Sequence, residues 1–190
     1  MSTHAVPRAE SDPWIDPDQV REPLNALYAE LDSEIAALGP VCLLSGRCCR
    51  FQEYGHRLYV SEVEATVLLA DAPPPSRPLD DGATCPWQDE HGRCGAREAR
   101  PLGCRVYFCD PNYDGHAELL TERFLARIRL LVETLGLPWN YASLHHHLHA
   151  AVSSGRRRIE VADHGDSEAK ADRPDAVPVW EALDISPSDQ

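Results

Sequence analysis

Lysine is almost missing from this chain: Lys170 is the only one, and arginine supplies the remaining positive charge. Against 18 basic side chains stand 31 acidic ones, for a formal charge of -13. Duplex nucleic acid is bound through a basic face that neutralises phosphates, so no nucleic-acid partner is expected. Long apolar runs are missing as well. None reaches the roughly 20 residues that a membrane-spanning helix needs. Residues 1–20 hold no apolar stretch of about 7–15 residues of the signal-peptide kind. The expectation is a cytoplasmic protein without a membrane partner. Several chemical signatures are also absent: the glycine-rich phosphate loop, the serine-nucleophile elbow and the two-histidine metalloprotease helix.

What the chain does have is seven cysteines, all between Val41 and Asp110: Cys42, Cys48, Cys49, Cys85, Cys94, Cys104 and Cys109. In a reducing compartment, and with an odd count, a disulfide framework is a poor explanation. Thiolates are ligands for soft and borderline metals, and about four of them close a site. The expected partner is therefore a metal ion or cluster, with zinc or an iron–sulfur cluster as the cofactor.

At 190 residues the chain reads as one domain with tails. Residues 1–15 show no periodicity and are expected to form a mobile arm, with Trp14 as a docking point. Asp16-Pro17 is a helix start, an Asp cap followed by Pro in the first turn. Val20, Leu24, Leu27, Leu31, Ile35 and Leu38 then recur every three or four residues, one apolar stripe that Gly39-Pro40 ends. Leu58 to Val60 suits a short strand. Ser61 with Glu64 makes a capping box for a short helix with Val63, Val67 and Leu68 on its apolar face. Four prolines mark residues 72–84 as a surface connection. The Cys85–Cys109 stretch reads as loop. Leu120, Phe124, Ile128, Leu131 and Leu135 mark a strong amphipathic helix, and a last helix is expected over Tyr141 to Val152. From Ile159 to Gln190 nine acidic side chains meet two basic ones, so 155–190 is expected as a disordered acidic tail. Val177 to Ile185, around Trp180, is an apolar island in it. The expected fold is mostly α: a small helical domain, 16–154, around a loop-rich, metal-stabilised cysteine cluster.

Cys48 and Cys49 are adjacent and do not easily aim at one point from an extended loop. That leaves two readings, service to two metal ions or one ligand with the other packed. Gly46 permits the tight turn such a loop needs. Cys85-Pro86 fixes the chain beside a thiolate. Cys94, Cys104 and Cys109 are spaced more widely than the paired knuckles of a zinc ribbon.

In their order these residues resemble the YkgJ-type, or CxxCxxCC, cysteine-cluster family, described as zinc- or iron-chelating domains. Cys42 and Cys48-Cys49 match the outer members of its first motif. Cys85-Pro86 matches its Cys-Pro element, Cys94 with Arg100-Pro101 and Cys104-Arg105 its Arg-Pro/Cys-Arg element, and Cys109 its last cysteine. The resemblance covers about 70 residues and implies that all seven cysteines are metal ligands. The second cysteine of the first motif is Ser45 here. That leaves seven thiols where the family pattern has eight, and Asp110, His91 or a second histidine as candidate substitutes.

Arg47, Arg50, Arg97, Arg100 and Arg105 flank the cysteines. Guanidinium groups beside metal-bound thiolates offset their charge, and Arg100 and Arg105, inside the motif, are assigned that role. His145, His146, His147 and His149 are expected mainly as a solvated run, because Leu144, Leu148 and Val152 define the buried side; His56 is an outside candidate. The functional expectation is a metal-binding protein of unassigned activity. The alternatives are an enzyme or electron carrier using the cluster for redox or methyl-transfer chemistry, and a structural adaptor with the Trp180 island as its docking peptide.

Overall fold

The computed structural model describes residues 15–113 and 115–155. The arm up to Trp14, the tail beyond residue 155 and the Trp180 island lie outside the described residues. Ile15, assigned above to the arm, is 2% exposed and belongs to the core. Five helices are present: α1 (Pro17–Leu38), α2 (Glu62–Asp71), α3 (Leu102–Val106), α4 (His116–Thr134) and α5 (Leu144–Ser153). Two short strands, β1 (Tyr59–Ser61) and β2 (Tyr141–Ser143), pair antiparallel. The architecture is mostly α, and no described helix is long and apolar enough to cross a membrane.

α1 starts as its sequence dictates. Asp16 accepts the Asp18 amide at 3.0 Å, and Gly39, at φ +64°, closes the far end by donating to Ile35 O. Its buried face is Val20, Leu24, Tyr28, Leu31 and Ile35. Tyr28 joins the buried face, Leu27 packs against it partly buried, and Leu38, in the last turn, is exposed. α4 lays Leu120, Phe124, Ile128 and Val132 against α1, and the two helices share one apolar core with Leu102 and Val106 of α3 and Val63 and Val67 of α2.

A second core holds Cys49, Phe51, Cys85, Trp87, Leu144, Leu148 and the other side of α2: Ala65, Leu68 and Leu69. α2 is thus the wall between a helical core and a cysteine-bearing one. Every residue from Val63 to Leu69 is buried, so it has no polar stripe, unlike the amphipathic helix expected. A helix apolar all round is one packed on both sides. Each fully buried Leu or Val on such a wall contributes about 1.5–3 kcal/mol.

The strand β2 departs from the expectation of a helix beginning at Tyr141. Tyr59 pairs with Ser143, Val60 with Ala142 and Ser61 with Tyr141. Each strand reads Tyr-x-Ser, and each serine then caps a helix: Ser61 Oγ accepts the Glu64 amide and Ser143 Oγ the His146 amide. Two strand–serine–helix units therefore face each other across the ribbon, and α2 packs on α5.

Half of the histidine run is solvated, His146 and His149 being exposed, and half is buried. His145 and His147 are 7% and 2% exposed, and Ala151 rather than Val152 completes the buried side. His147 Nε2 donates to Val60 O of β1 at 3.2 Å. His145 Nε2 donates to Thr84 O at 3.1 Å, and His149 Nε2 to Asp80 O at 3.1 Å, so the helix fastens the proline-rich connection. Burial lowers the pKa of both His145 and His147 from the ordinary histidine value, for His145 against the opposing pull of Asp80, whose Oδ1 lies 3.2 Å from Nε2. A folded state that resists protonation binds fewer protons than the unfolded chain. Its stability is then complete above an unfolded histidine pKa of about 6.5 and is lost as pH falls below it. The urea midpoint should drop between about pH 7 and pH 5, and His147→Gln, which keeps a donor for Val60 O but cannot titrate, should flatten that slope. An unchanged slope would assign the acid sensitivity elsewhere.

Candidate metal centre

The first cysteine loop is shaped by Gly46. At φ +67° it opens a single 3-10 turn over Arg47–Cys49, in which Cys49 N donates to Gly46 O and Arg50 N to Arg47 O. The turn answers the problem posed by adjacent cysteines. Cys48 and Cys49 are not extended, and their sulfurs lie 3.9 Å apart. Arg50 folds back to donate to Ser45 O at 2.8 Å.

The second loop is brought in by its backbone. Cys85 N donates to Cys49 O at 2.8 Å. Residues 88–94 then form a tight hairpin, with Gln88 bridged to Cys94 and Asp89 accepting the His91 and Arg93 amides. Gln88, 3% exposed, donates through Nε2 to Gly46 O at 3.0 Å and so ties the hairpin to the first loop. Sequence reasoning passed over Gln88. Its only signal is a polar residue directly after the Cys-Pro-Trp triplet. Trp87 anchors the same strand by donating to Pro73 O.

α3 delivers Cys104, although its stretch reads as loop. Pro101 precedes it, and Cys104 N and Arg105 N both donate to Pro101 O. Arg105 does not serve the sulfurs as expected. Its donors go to Arg100 O, Glu98 O and Asp32, and its guanidinium lies 4.2 Å over the Tyr28 ring. It staples the Arg97–Arg105 segment to α1 and thereby holds Arg100.

All seven cysteines are free thiols. Five of them share one environment. Cys48 Sγ and Cys49 Sγ lie 3.9 Å apart. Sharing a proton with the neighbouring sulfurs of Cys48, Cys85 and Cys94 pushes the Cys49 thiol far up. The same proximity to Cys49 pulls Cys48 down to about 6 and Cys94 to about 7, helped against burial by Arg100 and, for Cys48, also by Arg97. Cys104 is pushed up, first by burial and then by Cys85, Cys94 and Cys48, with Arg100 opposing. The residue keeps part of its surface in solvent while its sulfur is desolvated. Arg100, expected beside the thiolates, is there.

The other two cysteines have different neighbours. Cys109 Sγ lies 3.2 Å from Ser45 Oγ and helps raise the pKa of Tyr107, and Cys42 is exposed. Asp110 fixes this corner by accepting the Val41 and Asn112 amides, and those bonds lower its pKa. His91 is exposed at the hairpin tip beside Glu90, and His56 stacks on Tyr107. Neither histidine takes the place of the missing thiol.

Among the described residues, no group of three or more His, Cys, Asp or Glu side chains is arranged on one point as a metal ion requires. The five thiols instead influence one another's ionisation, with Cys48 Sγ and Cys49 Sγ in contact at 3.9 Å. Their chemistry nevertheless fits a soft ion: several sulfurs within mutual reach, two of them ionising near neutral pH, and guanidinium groups behind them. The 3.9 Å Cys48–Cys49 spacing matches the edge of a tetrahedral zinc–thiolate site, about 3.8 Å for Zn–S bonds of about 2.3 Å. Comparison with protein-family models, with curated proteins and with solved structures finds no match to this chain.

Proposed function

We propose that this chain is a metal-binding protein of the CxxCxxCC type that holds zinc or an iron–sulfur cluster through its cysteine array and works in the cytoplasm. The observation that carries the reading is the convergence of Cys48, Cys49, Cys85, Cys94 and Cys104 from three separate segments, all as free thiols. Four thiolates around a dication leave two net negative charges, and Arg97 and Arg100 stand where they offset them. Bound zinc would supply folding free energy, and an iron–sulfur cluster would supply electron transfer. Of the remaining ligands that the family resemblance implies, Cys109 lies at Ser45 and Cys42 is exposed.

The test is purification without oxygen, followed by measurement of zinc, iron and acid-labile sulfide. A near-stoichiometric metal content is expected. Single Cys→Ser variants at the five clustered positions should lose metal and solubility together, because binding free energy is folding free energy here. Full metal content in all five would end the proposal. Under reducing conditions Ser45→Cys should raise resistance to a chelator relative to Ser45→Ala, since it sets a second soft donor beside Cys109. Equal resistance in the two variants would place Ser45 outside any coordination sphere.

A further inference from the structure

A cavity of ≈ 250 Å³ opens beside the thiols, lined by Cys48, His56, Arg57, Leu58, Tyr59, Gly103, Cys104, Tyr107 and Tyr141. Its composition is unlike the rest of the molecule. In a chain of charge -13, no acidic side chain lines it. Three tyrosines and a histidine do, and the tyrosines keep 39–48% of their surface in solvent.

The rings are held rather than loose. His56 and Tyr107 lie nearly parallel, 10° between planes and 6.4 Å between centroids. His56 is further fixed by its contact with Cys48 O at 3.4 Å. Tyr59 stacks on Tyr141 at 6.0 Å, and Trp139 on Tyr141 at 5.8 Å with 8° between planes. The β1–β2 pairing sets the positions of Tyr59 and Tyr141. Close packing of the floor is enforced by Gly103, where an added Cβ would come within 2.8 Å of Leu58. Exposed, pre-arranged aromatic faces bind planar rings by offset stacking at little conformational cost.

Arg57 supplies the charge. It is exposed, and no ion pair or hydrogen bond engages its side chain among the described residues, whereas Arg21, Arg50, Arg77, Arg100 and Arg105 are all engaged. A guanidinium matches a carboxylate with two parallel N–H bonds. The volume is below the 300–1,000 Å³ of common ligand pockets, which selects a small, one-ring molecule.

We infer that this cavity binds a small planar aromatic carboxylate, its ring against the tyrosine and histidine faces and its charge on Arg57, with Cys48 and Cys104 at the base. The inference adds a ligand site to the proposed metal centre and holds whichever metal is found, because the walls and the cation belong to the chain itself.

The test titrates the protein as purified, with its metal content measured, against three probes: benzoate, cyclohexanecarboxylate and benzamide. Ring-proton saturation transfer and tryptophan fluorescence are the readouts. Benzoate should bind saturably in the millimolar range, and the other two at least tenfold more weakly, one lacking the flat face and the other the charge. Arg57→Gln and Tyr107→Leu should each weaken benzoate at least fivefold, while Arg93→Gln, an exposed arginine outside the cavity, should not. Absence of saturable benzoate binding, equal binding of all three probes, or equal binding by the Arg57→Gln and wild-type proteins would each overturn the inference. A metal-free preparation that still binds benzoate would leave it standing while ending the metal proposal.

Discussion

Glu64→Ala is expected to cost about 3–5 kcal/mol, because it leaves several buried donors without their acceptor. Glu64 is 2% exposed and its carboxylate accepts four hydrogen bonds. Oε2 takes Ser61 N at 2.8 Å and Ser61 Oγ at 2.7 Å, which is half of the capping box of α2. Oε1 takes the Tyr28 hydroxyl and the Leu102 amide, both at 2.8 Å. One side chain therefore joins α1, β1, α2 and the start of α3. Truncation strands a buried phenol and two buried amides, each costing roughly 1–3 kcal/mol when left unpaired. Against a typical stability of about 5–15 kcal/mol that is a large fraction. Glu64→Gln should cost less, since an amide oxygen still serves one side while the NH₂ cannot accept from Ser61. Tyr28→Phe should cost about 1–2 kcal/mol, and the double variant should be less than additive, because both changes remove the same bond. Urea denaturation followed by helix content, at fixed metal, measures all of these. A loss below about 1 kcal/mol in Glu64→Ala would show that water replaces the carboxylate and that the network is not the keystone described.

The capping box was legible in Ser61-x-x-Glu64, but its second job was not. A local motif states what Glu64 does for its own helix and nothing about which chains arrive at its other oxygen. The same limit runs through the molecule. α1 and α4 are long enough for a 3.6-residue period to speak clearly. α2 is not readable that way, because it is buried on both sides and has no polar face. β2 and α3 are three and five residues long, too short for any period, and they exist through partners far along the chain. The histidine run misled for a related reason: identical residues suggest a common exposure, yet His145 and His147 are spaced to reach carbonyls of Thr84 and Val60. In the cysteine region the order of the seven cysteines is read directly from the chain. The division into five clustered thiols and a Ser45–Cys109 corner is not, since it depends on one turn at Gly46 and on the side chain of Gln88.

Gly46→Ala should therefore dismantle the cysteine array while leaving the helical core folded. Position 46 is left-handed, at φ +67°, which alone costs a side chain about 1–2 kcal/mol. An added Cβ would also stand 2.6 Å from Gln88 Nε2 and 2.6 Å from Gly92 O. The glutamine end can swing away, but the carbonyl belongs to the hairpin backbone, so relief requires the hairpin and the first loop to separate. That movement breaks the Gln88–Gly46 hydrogen bond and draws Cys94 away from Cys49. Gly92→Ala supplies the control. It too is left-handed, at φ +77°, but its nearest contact would be Gln88 Nε2 at 3.9 Å, so it carries the backbone strain without the clash. No residue of either loop belongs to the core shared by α1, α3 and α4, so helix content should survive in both variants. Metal-to-protein ratio and chelator resistance should fall severalfold in Gly46→Ala, and the thiols should react faster with an aromatic disulfide reagent. Gly92→Ala should lose only the stability expected of its φ. Indistinguishable metal content and thiol reactivity in the two variants would mean that the loops do not need the close approach at Gly46, and that another contact sets the spacing of the sulfurs.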